Sequence, residues 1–172
     1  MPAIDKDVFA KLTALGIPFS TVEHKAVFTV EEGRDMIGKI PGLFCKNLFL
    51  KDKKDKLWLV VMPAEKRANL NRLEKSIGSA RLSFGKPELL LDVLGITPGS
   101  VSPFALLNDF SRRVTVVLDK DMMEVPLATY HPLRNTASTS LKPSDLLKFI
   151  KSLSYAPRIV DCGEWVEEML GA

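Results

Sequence analysis

The run His131-Pro132-Leu133-Arg134-Asn135-Thr136-Ala137-Ser138-Thr139 puts one of the chain's two histidines at the head of a stretch dense in small polar residues. An imidazole there can hydrogen-bond or move a proton near neutral pH, or be an ordinary half-buried side chain. Pro132 disfavours helix at His131, so the run reads as a strand end or turn that presents side chains, not as packed interior. A second pattern, Phe44-Cys45-Lys46-Asn47-Leu48, sets a lysine and an amide at the start of an apolar, strand-like segment. With a period of two, Lys46 shares a face with Phe44, Leu48 and Leu50. Its ammonium either snorkels to solvent or points into a cleft. The third pattern is Gly99-Ser100-Val101-Ser102-Pro103. It is either a plain turn entering a strand or a place where a ligand approaches the backbone and a glycine N–H is free for an oxyanion.

The better-known chemical signatures are missing. No Gly-x-Gly-x-x-Gly follows a strand and no Walker A loop occurs, so a nucleotide cofactor is not expected. There is no Gly-x-Ser-x-Gly elbow. Two histidines and two scattered cysteines make a poor metal site. An enzyme built on this sequence has few titratable groups to work with and must rely on its backbone; no cofactor and no metal are expected.

The elements that must position these residues are readable in outline. Asp5 can cap a first helix with Val8, Leu12 and Leu15 on one face and Gly16 at its end. Pro18–Lys25 is extended. Thr29-Val30-Glu31-Glu32 is a capping box for a short, weak helix reaching Gly38, placed to act as a lid. Leu43–Leu50 and Leu57–Met62 predict two strands joined as a hairpin by the charged segment Lys51–Lys56. Ala64–Ile77 carries Leu70, Leu73 and Ile77 at helical spacing. Ala80–Phe84 is a short strand, and Pro87–Leu94 a helix ended by Gly95. Val101–Leu106, Val114–Leu118 and Val125–Ala128 supply further strands. Pro143 sits at the favoured first position of a helix with Leu146, Leu147, Ile150 and Leu153 inward, and Asp161–Leu170 is a last short helix. Strands and helices mix without a regular βαβ rhythm. The expected architecture is α/β: one compact domain over residues 1–172, with a mixed, partly barrel-like sheet and surrounding helices.

Composition narrows the setting. The 172 residues suit one domain with a real core. The 46% apolar fraction is that of a globular protein, and no run approaches the roughly 18 apolar residues of a membrane span. The start, Met1-Pro2-Ala3-Ile4-Asp5-Lys6-Asp7, lacks the bases and apolar run of a signal peptide. Cys45 and Cys162 without a Cys-x-x-Cys argue for the reducing cytoplasm. The net charge of +3 limits any RNA contact to a local patch. No recognition-helix motif or basic stripe points to DNA.

Taken in order and separation, Lys46-Asn47 beside a charged hairpin, Gly99-x-x-x-Pro103 in mid-chain and His131-Pro132-Leu133-Arg134-Asn135-Thr136-Ala137 near the end resemble the YbaK/prolyl-tRNA-synthetase-associated editing family. More narrowly, the chain is similar to the free-standing alanyl-tRNA(Pro) deacylases. The resemblance runs from the helix at Asp5 to the helix after Pro143. Ser138-Thr139 stands where a threonine-rich pair is expected, a minor departure. The resemblance implies the corresponding fold and removal of mischarged alanine from tRNA for proline. It implies the tRNA(Pro) acceptor end as partner, with prolyl-tRNA synthetase a further candidate. It also implies roles: Lys46 on the backbone of the tRNA 3′ end, Asn47 in reading the acceptor end, and Gly99 in the Gly-x-x-x-Pro103 loop that holds the ester. His131 would lie beside the aminoacyl pocket, and Arg81 on the acceptor stem. Phe28 and Val30, near the expected lid, are candidate pocket walls.

An aminoacyl ester is already activated, so its hydrolysis needs a positioned water and oxyanion stabilisation more than a strong nucleophile. The neighbouring ribose hydroxyl can orient that water. Two alternatives stay open: a deacylase for another small mischarged residue such as cysteine or serine, and a non-catalytic tRNA- or synthetase-binding adaptor.

Overall fold

A computed structural model describes residues 1–26 and 39–166. Its elements, in chain order, are α1 (Asp5–Ala14), β1 (Ser20–Glu23), β2 (Leu43–Asp52), β3 (Leu57–Pro63), β4 (Lys66–Ala68), α2 (Leu70–Ile77), β5 (Leu82–Phe84) and α3 (Pro87–Leu94). A 3₁₀ helix over Pro103–Asn108 precedes β6 (Val114–Asp119), and a second, Met122–Glu124, precedes β7 (Ala128–Tyr130). The remaining elements are β8 (Ala137–Leu141), α4 (Pro143–Ser152), β9 (Arg158–Val160) and β10 (Gly163–Trp165).

The strands order as β1-β8-β7-β2-β3-β6-β9, with β5 on the side of β2, while β4 and β10 form a separate two-stranded ribbon. The sheet is mixed: β2 pairs β3 antiparallel and β7 parallel, and β3 pairs β6 parallel. Among the described residues its two ends, β1 and β9, do not pair.

Every residue of β3, Leu-Trp-Leu-Val-Val-Met-Pro, is buried, the pattern of a strand covered on both faces. Alternation then divides its side chains between two cores. Leu59 and Val61 join Phe49, Val116 and Leu118 under α1, α3 and α4. Trp58, Val60 and Met62 join Leu50 and Val117 under α2 through Leu73 and Ile77. Truncating Leu59, which is fully buried, to alanine would cost about 2–5 kcal/mol. The expected hairpin forms, with Lys46 opposite Met62 and Leu50 opposite Trp58. Asp52 fixes its turn by accepting from the backbone N–H groups of Lys54 and Lys56 and from Trp58 Nε1. The helix Pro87–Leu94 has the expected bounds, with Gly95 at φ +66° accepting the left-handed turn that ends it.

Several elements differ from the sequence reading. In α1 the capping residue is Ile4, and Asp7 accepts from its N–H at 2.8 Å; Asp5 is already helical. The helix predicted over Ala64–Ile77 begins only at Leu70, capped by Asn69. Its front part is β4, held straight by pairing with β10. That pairing also replaces the start of the helix predicted from Asp161. Val101–Leu106 is not a strand: Ser102 accepts from Phe104 N and Pro103 opens a 3₁₀ helix. Val125–Ala128 contributes only its last residue to β7. Phe149, not singled out from sequence, is buried on α4 beside Leu146 and Ile150. The segment Ala137-Ser138-Thr139 is interior after all, because β8 lies between β1 and β7. The capping box Thr29–Glu32 and its expected lid lie outside the described residues, as do Phe28 and Val30.

Candidate active site

The strands β1, β8, β7 and β2 place a polar row across one face of the sheet. Phe44 pairs with Thr129, Thr129 with Ser140, and Ser140 with Ser20, so these four share a face. Two residues further along β2 and past the end of β7 come Lys46 and His131, and two residues before Ser140 comes Ser138. The structure therefore brings Lys46 and His131 to one region of one face. Lys46 stands, as its period predicts, with Phe44, Leu48 and Leu50.

His24, at the end of β1, joins this group. Its backbone N–H donates to Thr136 O at 2.9 Å. Its ring lies 6.3 Å from that of His131, centroid to centroid. His24 Nδ1 is 2.7 Å from Lys25 O and Nε2 is 2.8 Å from Ser138 Oγ. A carbonyl can only accept, so Nδ1 carries the proton; in the neutral ring Nε2 then accepts from the Ser138 hydroxyl. His131 is tethered in the same way, Nδ1 donating to Ala137 O at 3.0 Å. Burial pushes its pKa below the usual histidine value; the Ala137 carbonyl opposes this and His24 adds to it. The result is a neutral imidazole with its Nε2 lone pair uncommitted among the described residues, poised to accept a proton or a hydrogen bond.

The turn from His131 to Ala137 is held in place from outside. Arg134 grips Glu23 with two bonds of 2.6 Å and Asp5 with one of 2.9 Å, and donates to Thr136 Oγ1 at 3.0 Å. Leu133 takes a left-handed φ of +67°, uncommon for a side chain of its kind. The arginine thus ties the histidine turn to β1 and α1.

Lys46 is half-buried. Burial lowers its pKa, Glu65 opposes this and Arg67 adds to it. Asn47, next along β2, turns to the other face, where its Oδ1 is buried with no hydrogen-bond partner among the described residues; period-two geometry keeps its side chain off the Lys46 face. Gly99 lies in the loop between α3 and the 3₁₀ helix at φ +94°. Pro103 opens that helix and is buried. The loop reaches the sheet through Phe104, whose ring meets Tyr130 edge-on at 6.1 Å, just before His131. Arg81 is exposed beside β5, whose Leu82 pairs with Asp52 at the far end of β2. Asp52 lies six positions along β2 from Lys46, roughly 20 Å, so Arg81 is not part of the Lys46–His131 group.

His24, Thr129, Ser138 and Ser140 were not singled out from sequence as site residues. The signal for His24 was its being the only other histidine; the hydroxyls needed the register of four strands. Ser140 Oγ donates to Pro41 O at 2.7 Å, and buried Thr129 Oγ1 has no hydrogen-bond partner among the described residues. Neither cysteine is an activated nucleophile: both are free, and burial raises both thiols, Cys162 to about 12. Among the described residues no group of three or more histidine, cysteine or carboxylate side chains could hold a metal ion, and no helix is long and apolar enough to cross a membrane.

A sequence model described as the aminoacyl-tRNA editing domain matches residues 24–149, a span that opens on His24 and includes Lys46, Gly99 and His131. The prolyl-tRNA editing protein ProX of Acetoanaerobium sticklandii is 38% identical over 146 residues, covering 84% of this chain and 89% of that protein. The prolyl-tRNA synthetase associated domain-containing protein 1 of Bos taurus is 39% identical over 156 residues, covering 88% and 91%. The same fold occurs in a crystal structure described as a candidate trans-editing enzyme for prolyl-tRNA synthetase, with a TM-score of 0.73 at 21% identity over 93% of this chain and 96% of that one.

Proposed function

Because the chain belongs to the aminoacyl-tRNA editing domain family, we propose that it is a cytoplasmic trans-editing hydrolase, one domain over residues 1–172, that deacylates alanyl-tRNA(Pro). The observation that carries this reading is the convergence of Lys46 and a neutral, tethered His131 on one sheet face, with no activated nucleophile beside them among the described residues. Such a site suits an ester that is already reactive. Water adds to the carbonyl carbon, the ester bond to the terminal ribose breaks, and the proton lost by water ends on the departing ribose oxygen. The neighbouring ribose hydroxyl orients the water, His131 Nε2 accepts a hydrogen bond in the pocket, and Lys46 engages the backbone of the 3′ end. The Gly99 loop supplies backbone N–H groups to the developing oxyanion. Alanine is selected over proline by exclusion of the larger ring; a missing methylene alone would be worth only about 1–3 kcal/mol. The likeness to ProX supports tRNA(Pro) as the substrate and prolyl-tRNA synthetase as the source of the error.

The test is deacylation of a panel of tRNAs. Alanyl-tRNA(Pro) is expected to be hydrolysed and prolyl-tRNA(Pro) spared. Faster loss of cysteinyl or seryl esters would reassign the amino acid, and no loss of any ester would leave a binding adaptor.

A further inference from the structure

Beside the Lys46 face lies a second, more open feature. The chain leaves β3 at Pro63, which pairs with Cys45; Ala64 N–H donates to Phe44 O at 2.9 Å, and the chain then enters β4. This turn brings Arg67 to the Lys46 side of the molecule, near enough for the two cations to interact. Lys66 and Arg67 point to opposite faces of β4. Lys66 turns inward to three aspartates. Arg67 turns outward, exposed, directly across the ribbon from Glu164. Next to it a cleft of about 310 Å³ is lined by residues 67–72 and Glu164, with Ala68 and Leu70 the apolar members.

The donors in this cleft are available. No described side chain forms an ion pair with the Arg67 guanidinium. Arg72 reaches Glu164 at 3.4 Å and Asp161 at 3.5 Å, long and exposed contacts of the kind that are worth little and exchange readily. Asn69 spends its Oδ1 on Arg72 N–H and keeps its amide NH₂. Two guanidiniums and side-chain amides around an open groove fit an extended polyanion better than a compact apolar ligand. Glu164, the one described carboxylate lining the groove, already shares Arg72 and would yield to a phosphate.

We propose that this cleft binds the phosphodiester backbone of the single-stranded segment just 5′ of the aminoacylated nucleotide, so that Lys46, Arg67 and Arg72 follow one RNA strand. The proposal rests on the deacylase reading for what lies at the Lys46 end. The cleft itself is tested by binding, which does not depend on that chemistry.

The experiment measures the affinity of the full chain, wild type and with Arg67→Ala and Arg72→Ala singly and together, for a short oligoribonucleotide ending in CCA, over a range of salt concentrations. Each replacement is expected to weaken binding several-fold and to lower the slope of log affinity against log salt by about 0.7 for each phosphate no longer neutralised, with thermal midpoints close to wild type. Unchanged affinity and slope in the double variant overturn the proposal. In parallel, kcat/KM is measured on alanyl-tRNA(Pro) and on the small ester alanyl-adenosine. The variants should lose roughly tenfold on the tRNA and nothing on the small ester. Equal loss on both substrates would mean a distorted site and also overturn it. If wild type hydrolyses neither ester, the deacylase reading fails while the binding result still decides the cleft.

Discussion

Lys46 on β2 and Lys66 on β4 have opposite surroundings. Lys66 is 1% exposed and its ammonium meets Asp119 at 2.9 Å, Asp121 at 2.7 Å and Asp161 at 2.9 Å, with the Trp165 ring 5.4 Å away. Burial works against its charge, and the hydrogen bonds from the three aspartates more than reverse that, leaving its pKa raised. Lys46 is half-buried with its pKa lowered by burial, and the opposing attraction of Glu65 does not restore it. A lysine enclosed by carboxylates is committed to structure. A lysine desolvated without such a cage among the described residues keeps its hydrogen-bonding capacity for a further partner.

Breaking the first of these should have the larger effect. Lys66→Ala would leave Asp119, fully buried, without its counter-charge, although Asp119 also accepts from the N–H groups of Asp121, Met122 and Cys162. Removing one partner of a buried pair costs about 3–5 kcal/mol, so denaturant unfolding should show a loss of that order. A loss under about 1 kcal/mol would mean that the cluster is not the anchor of the β4–β10 ribbon. Lys46→Ala should do the reverse. Its unfolding midpoint should stay near wild type, because the side chain removed is half-exposed. Deacylation should fall roughly 10²- to 10³-fold, the range for deleting one transition-state donor. Normal turnover in a folded variant would return Lys46 to an ordinary snorkelling lysine.

The same pair shows what the sequence discloses. The face on which Lys46 stands followed from a period of two, because β2 and β3 are local neighbours joined by a short charged turn. Lys66 looked like part of a helix because Leu70, Leu73 and Ile77 do have helical spacing. The competing strand depends on residues 163–165, far along the chain, which no local pattern reports. Ser138 and Thr139 looked like surface for a related reason. Their hydroxyls are satisfied only across strands, Thr139 with Thr21 at 2.9 Å and Ser138 with His24, and until β8 is placed between β1 and β7 small polar residues read as a turn. Arg134 was legible as part of a motif, but its hold on Glu23 and Asp5 is tertiary. The motif order that pointed to the family needed none of this placement, so the family could be recognised from residues whose surroundings could not be foreseen.

His131 lies between the two lysines in character, tied to the scaffold through one nitrogen and open at the other, and changing it should have the smallest effect. Its folded pKa lies below the unfolded value of 6.5. Between those two values the unfolded chain binds the extra proton, so stability falls as pH drops through 6.5 and levels off below the folded pKa. Above 6.5 the ring becomes uncharged in both states and this contribution fades as pH rises. For activity, the same shift places the acid limb of kcat/KM below 6.5, because Nε2 stays an acceptor down to the folded pKa. If His131 only shapes the pocket and accepts a hydrogen bond, His131→Ala should cost about tenfold, less than the 10²- to 10⁴-fold typical of a lost general base. Replacing the free hydroxyl of the terminal ribose by hydrogen should cost far more than that, since in this mechanism the substrate orients the attacking water. Both measurements use the same assay and answer each other. A deoxy ester hydrolysed at the normal rate, together with an inactive His131→Ala protein, would make the histidine the base and remove the substrate from the mechanism.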